Sequence, residues 1–322
     1  MPYATPAALR AALEARLASG EATTVPGLER LRRRATFERL LIRLEHAMPG
    51  QWVLKGGMAL EVRLGDRARS TRDLDLAVRQ AGEDAGTIRD HLIEALAEDP
   101  ERDGFEFRVG PAKALDLDEA GRAGWRFTID ARLDGRTFAN VRLDVVARTE
   151  EISRTDRVTL RSMLGFAGFP DHEVEAVDPA QHFAEKLHAF TRPHGDRANS
   201  RVKDLPDLLL LMDQGLAPTA ELLATVQHVF EVRSTHDLPG TLPDPPADWT
   251  NRYATLADEL GLEARTVDAA MARLRPFWTA TLAAGPAEPT AEEEPTAEEG
   301  RAEALATEEP VAEQPTEEQP GG

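Results

Sequence analysis

The sequence of 322 residues predicts an α+β protein, in which a small mixed β-sheet core lies between an N-terminal helical segment and a C-terminal helical domain. Three observations predict this class. Apolar residues recur with helical spacing near both ends of the chain, those in the middle form short strand-like runs, and Asp134-Gly135 between two such runs is a strong hairpin signal. We expect N-terminal helices over 1–50, an α/β core over 51–150, a helical domain over 151–285 and a disordered tail over 286–322.

The first half of the chain alternates between helix and strand signals. In the second helix, seven apolar residues follow a spacing near 3.6, arginines occupy the opposite face, and Pro49-Gly50 ends the element. Short apolar runs bounded by turn residues then predict strands. In order, we predict helices at 6–19 and 27–48, a strand at 51–55, a helix at 57–64, a strand at 73–79, a helix at 84–98 and strands at 105–109, 125–131 and 137–147.

The second half of the chain reads as helical. The segment 150–177 shows no well-defined element, and we interpret it as a connection. Asp178 then resembles an N-cap, Pro179 suits the first helical position and Gln181 suits a capping box. Further helices are predicted at 203–214, 218–231, 250–261 and 266–284, with a proline-rich loop at 234–248.

The formal charge of −19 is concentrated at one end of the chain. Residues 286–322 contain twelve glutamates and one arginine, so they account for −11 and leave −8 for the rest. This segment is rich in Pro, Glu, Thr and Ala, has almost nothing to bury, and is predicted to be disordered. A local basic run at Arg30, Arg32, Arg33 and Arg34 is the one feature that independently suits RNA, although a solvated helix face explains it equally well.

Several classes of protein are disfavoured by what the sequence lacks. There is no cysteine, no apolar signal-peptide core and no apolar run near the roughly 20 residues of a membrane span, so we expect a cytoplasmic protein without membrane attachment. The histidines show no zinc spacing, and there is no GxSxG nucleophile. The P-loop and Rossmann glycine motifs are also absent.

The stretch from Trp52 to Val78 carries the strongest chemical signal. Asp73 and Asp75 alternate with leucines on a predicted strand, so both carboxylates should lie on one face with Cα atoms roughly 6–7 Å apart. Such a pair is costly to desolvate unless it is protonated or neutralised by a cation. Upstream, Gly56-Gly57 opens a helix whose N–H groups could bind a phosphate. Together these features suggest a site for a metal-bound nucleoside triphosphate.

A third acid, Asp144, interrupts an otherwise apolar strand and could share the face of the aspartate pair. Three carboxylates could hold two Mg²⁺ ions, which clamp the attacking and leaving oxygens of a phosphoryl transfer. The simpler alternative is structural: Asp73 is a loop acid, Asp75 pairs with Arg72, and Asp144 pairs with Arg142. The combination with the glycine turn favours the catalytic interpretation.

Lysines and further acids could complete the site. Lys55 lies beside the glycines, and Lys186 borders the apolar stripe of a predicted helix, so either ammonium group could bind phosphate. Asp204 and Asp207 lie i,i+3 at the start of the next helix and share a face. Each has a simpler explanation, because Lys55 could be a solvated strand end, Asp204 an N-cap and Asp207 a first-turn dipole partner.

Four motifs in this order resemble the AbiEii/AbiGii-type toxin family of the DNA-polymerase-β-like nucleotidyltransferase superfamily. They are LKGGMAL at 54–60, STRDLDL at 70–76, the strand Leu143-Asp144-Val145, and AEKLHAF followed by RVKDLPDL at 201–208. The resemblance covers about residues 36–215. It implies that the α/β core is a nucleotidyltransferase core, that the glycine turn and paired acids bind Mg²⁺ and NTP, and that the lysine and later aspartate complete the site. Residue by residue, this points to Gly56, Gly57, Asp73, Asp75, Lys186 and Asp204, with Asp144 as the third acid.

The resemblance also implies a function. Members studied as toxins transfer nucleotides to tRNA acceptor ends, are paired with an antitoxin and are associated with phage defence. We therefore expect an Mg²⁺-dependent nucleotidyltransferase that moves NMP from NTP to an RNA 3′ end, with tRNA as the leading acceptor and a cognate antitoxin as partner. The alternatives are nucleotidylation of a protein or small molecule, and a non-catalytic nucleotide-binding module.

Overall fold

A computed structural model describes residues 3–19, 25–79, 84–115, 124–147, 150–195 and 199–285. These residues belong to one compact unit, and the predicted acidic tail lies outside them. Within them the chain forms a mixed β-sheet with helices at both ends of the sequence, which confirms the predicted α+β class. No described helix has the length and apolar character needed to cross a membrane.

The helices follow the predicted positions closely. They are α1 (Pro6–Ser19), α2 (Val25–Ala47), α3 (Gly56–Leu64), α4 (Ala85–Ala97), α5 (Pro179–Thr191), α6 (Asp204–Asp213), α7 (Ala220–Arg233), α8 (Trp249–Glu259) and α9 (Val267–Ala283). The strands are β1 (Trp52–Lys55), β2 (Asp73–Val78), β3 (Phe105–Val109), β4 (Lys113–Ala114), β5 (Gly124–Leu133), β6 (Arg136–Ala147), β7 (Thr155–Leu160) and β8 (His172–Val177).

The strands form one sheet in the order β3-β5-β6-β2-β1-β8-β7, and β4 pairs with β5 beside β3. The pairs β2–β6 and β1–β8 are parallel, whereas the other pairs are antiparallel. The predicted hairpin joins β5 to β6, and Asp134 and Gly135 at its turn both have positive φ (56° and 65°), as a type I′ turn requires. Strand β2, which carries the aspartate pair, lies between β6 and β1 and is therefore central in the sheet.

Two strands, β7 and β8, occupy the segment that the sequence analysis interpreted as a connection, so that interpretation was wrong. They pair with each other, and β8 also pairs with β1. In β7 only Val158 and Leu160 are buried, because the strand lies at the edge of the sheet. Two apolar side chains are too few to give a clear alternating pattern in the sequence. The added strands make β1 and β2 central rather than peripheral.

The two faces of the sheet are covered differently. One face packs against α1, α2 and α4 in a hydrophobic core that includes Leu13, Phe37, Leu92 and Leu143. The second core lies among α5 to α9, where Trp249 and Trp278 are almost fully buried. Leu60 of α3 belongs to this second core, while Met58 and Ala59 belong to the first. Helix α3 thus packs against both cores directly beside the glycine turn.

Helix α5 begins where the sequence predicts. The Asp178 side chain accepts a hydrogen bond of 2.7 Å from the Gln181 backbone N–H, as an N-cap does. The Gln181 side chain does not complete a capping box. Its amide instead donates to the backbone carbonyl of Glu151 and accepts from Ser153, which ties the start of α5 to the segment after β6.

Asp178→Ala is expected to lower the free energy of unfolding by about 1 kcal/mol, because the substitution removes the N-cap of α5. The Asp178 carboxylate also accepts a 2.6 Å hydrogen bond from Arg154, which is half exposed and contributes little more. Urea unfolding of the variant and of Asp178→Asn measures the effect. If the carboxamide does not retain most of the lost stability, capping is not the source.

Candidate active site

The structure brings the three predicted acids onto one face of the sheet. Strand β2 runs parallel to β6 in a register that sets Asp75 beside Asp144 and Asp73 beside Arg142. On the next strand, Arg126 lies opposite Asp144. Because side chains at paired positions point to the same face, the carboxylates and both arginines form one continuous polar row.

Two of the three acids are paired with arginines. Asp73 accepts a hydrogen bond of 2.5 Å from Arg142 Nε. Both oxygens of Asp144 bind the Arg126 guanidinium, at 2.7 and 2.6 Å. The pairing that the structural alternative assumed, Asp144 with Arg142, is not the one observed.

Asp75 is the exception. Within the described part of the chain its carboxylate has no hydrogen bond or ion pair. Burial, followed by the negative charge of Asp144, raises the pKa of Asp75 to about 6. A partly buried carboxylate that no cation contacts directly has a strong electrostatic demand for a cation.

Glycine is required at positions 56 and 57 because neighbouring side chains approach their backbone closely. Gly56 has a φ of +61°, and a Cβ at this position would lie 2.1 Å from Asp75 Oδ2. A Cβ at Gly57 would lie 2.9 Å from Thr71 Oγ1. No side chain caps the N-terminus of α3, so its first N–H groups remain available to an anion beside the carboxylates.

The ammonium group of Lys55 is held by carboxylates. Lys55 is 6% exposed, and its Nζ lies 3.0 Å from Glu185 and 3.4 Å from Glu151. Arg233 of α7 also binds Glu151, at 2.6 Å. Lys55 therefore contributes to a buried network that joins β1 to α5 and α7.

Lys186 lies on the opposite side of the cavity, between two acids of α6. Its Nζ is 2.9 Å from Asp204 Oδ1 and 2.8 Å from Asp207 Oδ2. Asp207, which is fully buried, also binds Arg69 in the loop before β2, with contacts of 3.0 Å to each carboxylate oxygen. Asp207 thus connects the helical half to the loop that leads into the acidic strand.

Charges around Asp207 compensate for its burial. Although burial favours the neutral acid, the Lys186 and Arg69 charges lower the pKa of Asp207 to about 2. Burial likewise opposes the charged form of Lys186, but Asp207 and Asp204 raise the pKa of its ammonium group above the ordinary value. The cluster therefore stays ionised at neutral pH, and it holds Lys186 as a fixed positive charge.

A cavity of about 290 Å³ separates the acidic row from the lysine. Its walls come from the sheet on one side and from α5, α6, α7 and the 3₁₀ turn at Arg201–Lys203 on the other. The sequence analysis gave no role to two arginines in this lining: Arg201 begins the RVKDLPDL motif but was not singled out, and Arg233 belongs to no motif. The lining residues are Lys55, Gly56, Asp75, Leu76, Leu115, Asp144, Val146, Glu185, Lys186, Ala189, Arg201, Asp204 and Arg233.

The donor set fits a divalent cation bound by oxygen. Asp73, Asp75 and Asp144 provide the carboxylates that Mg²⁺ prefers, and the uncompensated Asp75 supplies the electrostatic demand. As the side chains are oriented, the described residues contain no preformed group of three or more metal-ligating residues. The reason is that Asp73 and Asp144 are turned towards Arg142 and Arg126. The arginines occupy carboxylate oxygens that a metal would need.

Arg126→Gln is expected to raise the affinity for Mn²⁺ several-fold in the absence of nucleotide, because the substitution removes the cation that competes for Asp144. Isothermal titration of Mn²⁺ into the wild type and the variant measures the difference. Arg132→Gln, on the same face of β5 but nearer the hairpin turn, is a matched control. Equal Mn²⁺ affinities in wild type and Arg126→Gln would show that the arginine does not compete.

Two of the four arginines in the basic run at the start of α2 are engaged within the protein. Arg32 binds Glu14 at 2.6 Å and Glu29 at 3.0 Å, while Arg30 lies 3.5 Å from Glu61. The hydrogen bond that Arg32 donates to Glu14 is the main cause that raises the pKa of Arg32. These contacts favour a structural role for the run over the RNA-binding role that the sequence analysis considered.

Comparison with known proteins identifies the family. Residues 39–273 match the family described as nucleotidyl transferase AbiEii toxin, Type IV TA system. No curated protein matches the chain. Similar solved structures include JHP933 from Helicobacter pylori, with 14% identity, a TM-score of 0.38 and coverage of 79% of this chain and 89% of that one. An antigenic nucleotidyltransferase-like protein from Paracoccidioides brasiliensis has 19% identity, a TM-score of 0.38 and coverage of 71% and 92%, respectively.

Proposed function

The chain belongs to the AbiEii family of nucleotidyl transferase toxins, and on this premise we propose that it transfers a nucleoside monophosphate from an Mg²⁺-bound NTP to the 3′ end of a tRNA. Family membership makes the protein a nucleotidyltransferase of a toxin–antitoxin system and implies an NTP substrate and an antitoxin partner. The metal, the acceptor and the site residues are the parts that we propose.

One observation carries the proposal: Asp75 and Asp144 line the sheet side of a cavity whose opposite wall presents the fixed charge of Lys186, and Asp73 continues their row on the same face of the sheet. A nucleoside triphosphate needs a cation at its reacting phosphate and positive groups along the remaining phosphates. The acids would hold the metal on one side, and Lys186 would bind triphosphate oxygens on the other.

Each residue has a role in this arrangement. Asp73, Asp75 and Asp144 would hold Mg²⁺, which when bound offsets the triphosphate charge and stabilises the attacking and leaving oxygens. The N–H groups that begin at Gly56-Gly57 would bind phosphate oxygens. Asp204 and Asp207 would position Lys186. Lys55 would act indirectly, because its ammonium group is bound to Glu151 and Glu185.

The proposed transfer forms one bond and breaks one. The 3′ oxygen of the acceptor attacks the α-phosphorus, and the bond from that phosphorus to the bridging oxygen breaks. Pyrophosphate leaves with the bonding electron pair, and the hydroxyl proton passes to the Asp144 carboxylate. Asp144 suits this role because it lies on β6, where neighbouring residues on the same face, such as Arg142, are exposed and leave room for an acceptor. Since tRNA and NTPs are available in the cytoplasm, we propose that the enzyme acts there.

The proposal is tested by incubating the full-length protein with each α-labelled NTP, Mg²⁺ and total tRNA. We expect labelled tRNA and released pyrophosphate with at least one NTP, and neither product after chelation of Mg²⁺. A parallel reaction replaces tRNA by a nucleic-acid-free protein extract. Label on protein instead of tRNA would contradict the proposed acceptor, and absence of label on every acceptor would contradict the proposed activity.

A further inference from the structure

The open sheet face, defined here by Arg108, Lys113, Thr128, Asn140 and Arg142, continues the acidic row away from the cavity. Strands β3, β4, β5 and β6 present these side chains on the same side as Asp144, because each occupies a position paired in register with the row. All five residues are exposed, whereas the opposite side of β3, β5 and β6 packs against α1, α2 and α4.

The charge of this face differs from that of the protein as a whole. Among the described residues of β3 to β6, this side carries five cations; two of them pair with Asp73 and Asp144, and the other three stand against two carboxylates. The cations are Arg108, Lys113, Arg126, Arg132 and Arg142, and the carboxylates are Glu106 and Asp130. Residues 1–285 carry a formal charge of −8, so a face with a small positive excess is a local exception. This face therefore attracts a polyanion, which the acidic remainder of the protein would repel.

Two of these cations have no ion-pair partner among the described residues. Arg126 and Arg142 bind the site carboxylates, and Arg132 donates to the Gly135 carbonyl. Arg108 and Lys113, in contrast, make no ion pair with any other described residue. Exposed cations that no described residue engages are well suited to phosphate contacts.

Arg108 and Lys113 both lie close to the reacting centre. Lys113 is opposite Arg126, which is opposite Asp144, so its Cα is two strand spacings, about 10 Å, from that of Asp144. Arg108 is opposite Asp130, and Asp130 is opposite Asn140, four residues before Asp144 on β6. Arg108 is therefore displaced from Asp144 by about 13 Å along the strand direction. The nucleotides next to a reacting 3′ hydroxyl would cover this span.

We propose that the open sheet face binds the phosphate backbone of the RNA acceptor next to its 3′ end, with Arg108 and Lys113 as phosphate contacts. This inference rests on the proposed function, since it assigns a surface to the acceptor of the same reaction. The cavity on the other side of the acids is left for the NTP. The face presents no aromatic side chain among its described residues, so binding depends on phosphate charge and is insensitive to base sequence.

The test measures RNA binding without nucleotide. A 5′-fluorescein-labelled RNA with a tRNA acceptor stem and its single-stranded 3′ end is titrated with the full-length wild type and with Arg108→Gln/Lys113→Gln. We expect about tenfold weaker binding by the double variant at low salt. The slope of log K against log salt concentration should fall in magnitude by about 1.4, because two phosphate contacts are lost. The KM for tRNA should rise, and the KM for NTP should stay constant.

Arg252→Gln is the matched control, because Arg252 is an exposed arginine on α8, outside the sheet. It should leave RNA affinity and the salt slope unchanged. Equal RNA affinities of the wild type and the double variant would overturn the proposal, as would an equal loss in the control. Weakened labelling of a protein acceptor with unchanged RNA binding would also overturn it. Failure of the proposed function gives a different result: the wild type would bind RNA through this face but would not transfer a nucleotide to it.

Discussion

We expect Asp75→Asn to reduce nucleotide transfer at least about 1,000-fold while the protein remains folded. Asp75 is the acid of the row without a described partner, so it is the group whose charge a metal most needs. Loss of one charged metal ligand removes several kcal/mol of transition-state stabilisation, which corresponds to this factor. The carboxamide has nearly the same shape, and Gly56 still accommodates it.

The same substitution should increase stability at neutral and higher pH when no metal is present. Burial and Asp144 raise the pKa of Asp75 to about 6 in the folded protein, above the ordinary value of 3.8. The ionised carboxylate therefore destabilises the fold as the pH rises from about 4 through 6, and the destabilisation is complete above 6. Asn carries no charge, so the Tm difference between variant and wild type should grow over that interval.

Calorimetric melting from pH 4 to 8 in chelator, together with labelled-NTP assays, tests both parts. Asp134→Asn at the exposed hairpin turn is a control that should change neither quantity strongly. A variant that retains more than about a tenth of wild-type transfer would refute the assignment of Asp75 as a metal ligand.

The second large effect is expected for Asp207→Ala, which should lower the free energy of unfolding by about 3–5 kcal/mol. The substitution leaves Lys186 and Arg69 as buried cations without their shared carboxylate. Because the folded pKa of Asp207 is lowered to about 2, its stabilising contribution is complete above about pH 4. It is lost as the pH falls from there through 2.

Urea unfolding at pH 7 and at pH 3 measures this prediction, with Asp213→Ala as the matched control on the same helix. Asp213 pairs with Arg273 in a partly exposed position and should contribute less than about 1 kcal/mol. Equal losses of stability for the two variants would show that Asp207 is not the central partner of the cluster.

Asp204→Asn should mainly raise the KM for NTP, since Asp207 still holds Lys186.

The sequence was informative where local periodicity determines the structure. Alternation with leucines was enough to place Asp73 and Asp75 on one face, and an acid within an apolar strand identified Asp144. The glycine turn could be recognised from its position between a strand and a helix, although the close approach to Asp75 that requires Gly56 is a tertiary contact.

Contacts between distant segments were not predictable in the same way. Arg69 and Asp207 are 138 positions apart, and no spacing rule relates a loop arginine to a helix that follows it so much later. The pairing of Arg126 with Asp144 depends on the register of a hairpin, which the turn signal implies only after its strand lengths are known. Edge strand β7 buries too few side chains to be recognised from its pattern.

The central claim is that the acidic row and Lys186 bind a metal–NTP complex between them. Its most direct test is a crystal structure of the full chain with Mn²⁺ and a non-hydrolysable NTP analogue, in which anomalous scattering locates the metal. We predict an anomalous peak in contact with Asp73 and Asp75, triphosphate oxygens bound by Lys186, and Arg142 released from Asp73. A nucleotide bound elsewhere, or a metal peak distant from Asp75, would contradict the claim.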